Sequence, residues 1–284
     1  MSNDCIICKL DTINSIAILE EIIERRKEKK LSLVKYRKIN TKNKNSIIIY
    51  PKFNKDWKLI DFVINNYPYK WKEFFEKNLE ELNNISNFIS KDEFYPNLID
   101  VFNCFKLCSP KSIKVVIIGQ DPYPKFGNYG PQAMGLSFSV RKGESIPKSL
   151  KNIFIELERS IDYFKIPDHG DLTSWAKQGV FLLNKSLTVI KGDFSRNNTK
   201  RNHRHVWDKF IKNTLLELHK INDKIIYVFW GKESLKLRNY VRGKYIIEGC
   251  HPAERRNNFI GCNHFVEINK ILIDNNIKPI NWKL

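Results

Sequence analysis

Four short apolar, β-branched runs constrain this chain more than any other feature: 114–118, 180–183, 225–230 and 245–247. Between and before them lie stretches with helical character, expected over 71–89, 148–161 and 204–220. Strands that alternate with helices imply a mainly parallel sheet with helices on both faces. The expected fold is therefore α/β, with a central four-stranded, mainly parallel sheet.

The residues that end those runs are as informative as the runs. The first delivers Gly119-Gln120-Asp121-Pro122-Tyr123-Pro124, and the second ends on Asn184. The third ends on Gly231-Lys232, the fourth on Gly249-Cys250-His251-Pro252. Open parallel sheets bind ligands beyond the carboxyl ends of their strands. Taken singly, each of these is also an ordinary turn residue. Four polar candidates at four such ends make a convergent site.

Composition narrows the class of partner. With 42% apolar residues in 284, the chain can fill a core, and its formal charge of +18 attracts polyanions. Nucleic acid is the commonest reason for such an excess; membrane surfaces and acidic proteins are the alternatives. Abundant Lys, Asn and Ile also reflect what an AT-rich genome encodes. No apolar run approaches the roughly 18 residues of a membrane helix. No secretory pattern is seen, and Glu20, Glu21, Glu24 and Glu28 argue against a transit peptide. An intracellular protein is expected, with its six cysteines reduced.

Residues 1–54 read as a basic N-terminal extension, partly helical or flexible, ahead of a catalytic domain over 55–284. Ile13, Ile16, Leu19 and Ile23 recur at helical spacing before the basic run Arg25-Arg26-Lys27-Glu28-Lys29-Lys30. That run fits a nuclear address, a DNA-touching arm or a solvated helix face. Cys5-x-x-Cys8 is two ordinary thiols or half of a zinc knuckle, and no second pair follows at suitable spacing. The stretch 250–265 holds two cysteines and two histidines, but Cys250 and His251 are adjacent. Cys262 and His264 also lack the usual gap, so no metal is expected there.

Read together, several ordered motifs resemble the family 1 uracil-DNA glycosylases over roughly residues 57 to 284. Gly119-Gln120-Asp121-Pro122-Tyr123 is similar to that family's water-activating motif, and Gly135-Leu136-Ser137-Phe138-Ser139-Val140 to its base-stacking segment. Ile146-Pro147-Lys148-Ser149-Leu150 is similar to its phosphate loop. His169 to Leu172, Trp175 to Val180, Leu182 to Asn184, Gly261 to Phe265 and Pro279 to Trp282 add further matches in order.

The resemblance implies an enzyme that flips uracil out of single- or double-stranded DNA and hydrolyses its N-glycosidic bond, with no cofactor. It implies Asp121 and His251 as catalytic residues: the carboxylate for the cationic sugar and the attacking water, the imidazole for uracil O2. Gln120, Tyr123, Phe138 and Asn184 would bind uracil, and Pro147, Ser149, Gly231, Lys232, Ala253, Arg255 and Arg256 would contact DNA. A monomer is expected, without membrane association, in a nucleus or cytoplasm (of a host cell if viral). Replication proteins are candidate partners. The alternative is a DNA-binding replication accessory module with little or no catalysis.

Three departures stand out. The family's Pro-Ser-Pro-Leu-Ser after the histidine is replaced by Pro252-Ala253-Glu254-Arg255-Arg256, which puts Arg255 at the duplex-wedging position. Some members encoded by large DNA viruses share this His-Pro-Ala-x-Arg form. The loop 124–134 is longer than usual, and Pro124 stands where a histidine often follows the tyrosine. Residues 191–206 are also longer, and carry Arg196, Lys200, Arg201, His203, Arg204 and His205. They fit a DNA-facing arm near Asn184 or a solvated loop.

Overall fold

A computed structural model describes residues 37–40, 46–49, 58–66, 68–128, 130–193, 202–255 and 258–284. The helical stretch, basic run and Cys5-x-x-Cys8 expected near the N-terminus lie outside the described residues. So do Arg196, Lys200, Arg201 and Arg256. The chain divides into two compact units, Met1–Asp92 and Glu93–Leu284.

In the first unit, β1 (Arg37–Asn40) and β2 (Ser46–Ile49) pair antiparallel, with Arg37 opposite Ile49. Three helices follow: α1 (Leu59–Asn66), α2 (Lys72–Lys77) and α3 (Leu79–Ile89). The single helix expected over 71–89 is thus broken at Asn78. Its side-chain amide donates to the Phe74 carbonyl at 2.7 Å and competes with the backbone ladder there. Helix α3 buries Leu79, Leu82, Ile85 and Ile89 on one face.

The second unit runs β3 (Phe94–Tyr95), α4 (Asn103–Leu107), β4 (Val115–Gly119), α5 (Lys148–Ser160), α6 (Thr173–Lys177), β5 (Val180–Asn184), β6 (Val189–Ile190), α7 (Asp208–Ile221), β7 (Ile226–Trp230), α8 (Lys232–Leu235), β8 (Tyr245–Gly249) and α9 (His264–Asp274). Strands β5, β4, β7 and β8 form the four-stranded sheet in that order, and every neighbouring pair is parallel. The short strands β3 and β6 pair antiparallel as a separate two-stranded sheet. The α/β expectation and its four strands are met.

Register explains how the faces are filled. Val116, Phe181, Tyr227 and Ile246 share one row; Gly119 and Asn184 share another, with Trp230 opposite Gly249 in continuation. Side chains alternate between faces, so these two rows point to opposite sides. On the Phe181 side, Phe105 meets Phe181 edge-on at 5.1 Å, and Phe210 of α7 closes on Phe105 and Phe102. On the Trp230 side, Phe259, Phe265, Trp282 and Trp175 form a chain of edge-on and tilted rings. Phe181, Phe229, Trp175 and Trp282 are essentially without solvent contact, and each such side chain contributes on the order of 2–3 kcal/mol. Helix α7 starts at Asp208 rather than 204, because residues 204–207 form a turn.

Candidate active site at the carboxyl edge of the sheet

Asp121 follows β4, Asn184 closes β5, and His251 follows β8 by two residues. All therefore stand at the carboxyl edge of one parallel sheet, where backbone polarity and loop freedom favour a ligand site. Gly119 makes room for them. A Cβ on it would lie 2.3 Å from Asn184 Oδ1 and 2.8 Å from Ser137 Cβ, so a side chain there would expel the amide. Asn184 is 7% exposed, yet nothing among the described residues hydrogen-bonds its side-chain amide. A nearly buried polar group without a partner is uncommon and suits a ligand that completes it.

The segment 135–140 packs beside β4 and β5. Ser137 donates its N–H to the Leu182 carbonyl at 3.0 Å and its hydroxyl to the Ile117 carbonyl at 3.3 Å. Next to it, Phe138 adopts φ 63°, a left-handed conformation costly for an aromatic residue, and stays 8% exposed. Its ring lies 5.6 Å from Trp230 and 6.1 Å from His251. Tyr123 secures it: the phenol donates to the Phe138 carbonyl at 3.2 Å and sits 3.0 Å from Ser149 Oγ. Burial pushes the Tyr123 phenol up to about 12, so it stays a neutral donor.

His251 is held in one tautomer. Its Nδ1 accepts the Ala253 N–H at 3.0 Å, which in a neutral ring leaves Nε2 carrying the proton. Gly231, at φ 89°, lets the β7 turn approach: a Cβ there would be 2.8 Å from His251 Cβ. The loop is tied below by Asn152 of α5, which donates to the Pro252 carbonyl at 2.6 Å. Sequence reading missed Asn152, since a buried polar residue on an amphipathic helix carries no signal of its target. Asp121 Oδ2 accepts from Gln120 Nε2 at 3.5 Å and from Arg204 Nε at 3.0 Å. Burial raises the Asp121 pKa, and the Arg204 guanidinium is the strongest opposing influence.

The remaining candidates fall around this centre. Pro147 caps the start of α5, and Ser149 in its first turn is buried against Tyr123. Lys232 and Arg255 are exposed, and Ala253 is half-buried. His203 from the long basic stretch is buried and bonded to Thr188 Oγ1 at 3.0 Å, so it supports the scaffold. His264 accepts the Trp230 indole N–H at 3.0 Å, and burial lowers its pKa, which suits a neutral ring. Cys104 and Cys108 are buried thiols; burial pushes Cys108 up to about 12. Among the described residues, no three His, Cys, Asp or Glu side chains gather as a metal site.

Fold and site together define an α/β protein that gathers an aromatic face, an amide, a carboxylate and an imidazole at the carboxyl edge of its parallel sheet. Comparison with known proteins gives that class its family. The family model of the Uracil DNA glycosylase superfamily matches residues 105–273. The uracil-DNA glycosylase of Buchnera aphidicola subsp. Cinara cedri (strain Cc) is 42% identical over 231 residues, covering 78% of this chain and 97% of that protein. That of Francisella tularensis subsp. novicida (strain U112) is 40% identical over 67% of this chain and 84% of its own length. Among solved structures, mimivirus uracil-DNA glycosylase superposes with a TM-score of 0.69 at 30% identity, over 82% of this chain and 90% of that one. The chain belongs to the uracil DNA glycosylase superfamily.

Proposed function

We propose that Asp121 and His251 carry out the reaction of this DNA-repair glycosidase, which hydrolyses the N-glycosidic bond of uracil in DNA and leaves an abasic site. Bond breaking places positive charge on the sugar and negative charge on the departing uracil. The Asp121 carboxylate stabilises the cationic sugar and orients the attacking water. His251, neutral with its proton on Nε2, donates to uracil O2 as charge builds there. A preorganised donor of this kind lowers the barrier by about 3 kcal/mol.

The observation that carries the reading is the nearly buried Asn184 amide, which has no hydrogen-bond partner among the described residues. It complements uracil O4 and N3–H and mismatches cytosine, whose pattern there is inverted. Phe138 stacks on the flipped ring, and Gln120 contacts the O2 side. Tyr123 fills the space beside C5, because attraction alone separates one methyl by only about 1–3 kcal/mol. Flipping costs on the order of a few kcal/mol, offset by flanking phosphate contacts. These fall to the start of α5 at Pro147 and Ser149, the Gly231-Lys232 turn, and Ala253, Arg255 and Arg256. Arg255 fills the gap left by the flipped base.

Beyond the site, residues 1–54 are read as a basic extension of a catalytic domain over 55–284, acting as a monomer. The compartment is one that holds DNA, nucleus or cytoplasm, with replication proteins as candidate partners. Among the described residues, no helix is long and apolar enough to cross a membrane. The catalytic assignment is tested by Asp121→Asn. The turnover rate should fall about a thousandfold while uracil-DNA affinity stays within about threefold. Equal losses of binding and turnover would contradict the role.

A further inference from the structure

The carboxylate at the centre of this site has a built-in counter-ion. Arg204 Nε lies 3.0 Å from Asp121 Oδ2, with the two side chains 26% and 21% exposed. Asp121 and Arg204 are 83 residues apart in sequence, so the pair depends on the tertiary fold. The turn that presents Arg204 is anchored on both sides. Its own N–H donates to Asn202 Oδ1 at 3.0 Å. The preceding residue, His203, is buried on Thr188 Oγ1, and its carbonyl accepts from Ser186 Oγ at 3.3 Å. Trp207 Nε1 donates to the same Thr188 hydroxyl at 2.8 Å. Ser186 and Thr188 lie two and four residues beyond Asn184, so the guanidinium is delivered from the same segment that carries the Asn184 amide.

We propose that Arg204 is a positioning residue for the reacting carboxylate: it grips Asp121 through Oδ2, turns Oδ1 toward the sugar and water, and keeps the group ionised. The proposal rests on the reading of Asp121 as the catalytic carboxylate. Both hydrogen bonds described for Asp121 end on Oδ2, one from Gln120 and one from Arg204. Among the described residues, the charged groups that act on Asp121 are Arg204, which favours its ionised form, and Asp193, which opposes it. A guanidinium is permanently charged, so it does this throughout the working range of pH. The sign follows directly. Burial already raises the Asp121 pKa, and removing Arg204 raises it further, so the active carboxylate is lost first at low pH.

Single-turnover cleavage of single-stranded uracil DNA, measured from about pH 5 to about pH 9, tests this for wild type, Arg204→Ala, Arg204→Lys and Asp121→Asn. Arg204→Ala should lose about tenfold more rate at about pH 5.5 than at about pH 8.5, with the acid limb moved to higher pH. Arg204→Lys should restore most of the wild-type limb, and Asp121→Asn should be nearly inactive at every pH. A loss of equal size at all pH values, an unchanged profile, or an effect confined to substrate affinity would overturn the proposal. If Asp121→Asn stayed active, the catalytic reading itself would fail. Should Arg204→Ala not fold, Arg204→Gln against Arg204→Lys supplies the same comparison.

Discussion

Gly119 holds the site open by what it lacks. Its row in the sheet sets it beside Asn184, and any Cβ would enter the space taken by Asn184 Oδ1 and Ser137 Cβ. Gly119→Ala should therefore displace the amide and lower kcat/KM for uracil DNA by about a hundredfold, with about 1–3 kcal/mol of overpacking strain. Steady-state kinetics and thermal unfolding check the two effects separately. The placement of Asp121, Asn184 and His251 at one sheet edge was legible in the sequence because each ends or follows a recognisable strand. Phe138 and Ser149 were singled out only through their motif context, since neither a left-handed φ nor a hydroxyl's partner leaves a trace in sequence. The reach of Arg204 to Asp121 was hidden for another reason: a basic residue in a basic stretch reads as one more DNA contact.

Helix α5 acts as the element that sets the loops on the Trp230 side. Asn152 on it holds the Pro252 carbonyl beside His251. One turn on, buried Glu156 accepts the backbone N–H groups of Gly261 at 2.6 Å and Asn263 at 2.8 Å, and a bidentate pair from Arg159. Burial raises the Glu156 pKa, but these donors outweigh it and the net shift is downward. Its stabilising effect is thus complete above the ordinary glutamate range and is lost as pH falls through its lowered folded value. Glu156→Gln should cost about 3 kcal/mol near neutral pH and flatten the acid side of the stability profile, as read by denaturant unfolding. Arg255, exposed on the loop after His251, belongs to the same scale. Arg255→Ala should reduce cleavage of duplex about tenfold more than of single strands, because only duplex leaves a gap to fill. An unchanged duplex-to-single-strand ratio in paired assays would remove the wedge role. Element boundaries were the least legible feature. Asn78 broke a helix that periodicity joined, and the 204–207 turn delayed α7, because both breaks come from side-chain hydrogen bonds or turns that leave the apolar period intact.

At the scale of the molecule, strand spacing alone disclosed a parallel sheet, because runs buried on both faces stay apolar along their length. The order β5-β4-β7-β8 was not legible, since it depends on how crossovers pack and not on any one segment. That order brings Asn184 next to Gly119, with Gly231 following the strand one beyond Gly119 and His251 the strand two beyond. The formal charge of +18 then concentrates a polyanionic substrate around a site whose proposed reacting group is a carboxylate. In the proposed mechanism, charge serves association and the strand ends serve chemistry. The most direct test is release of free base from a labelled single strand carrying one uracil, run beside Asp121→Asn. The wild-type protein should liberate uracil and leave an abasic site, while the variant binds the strand and leaves it intact. Wild-type protein that bound the strand but released no uracil would contradict the account.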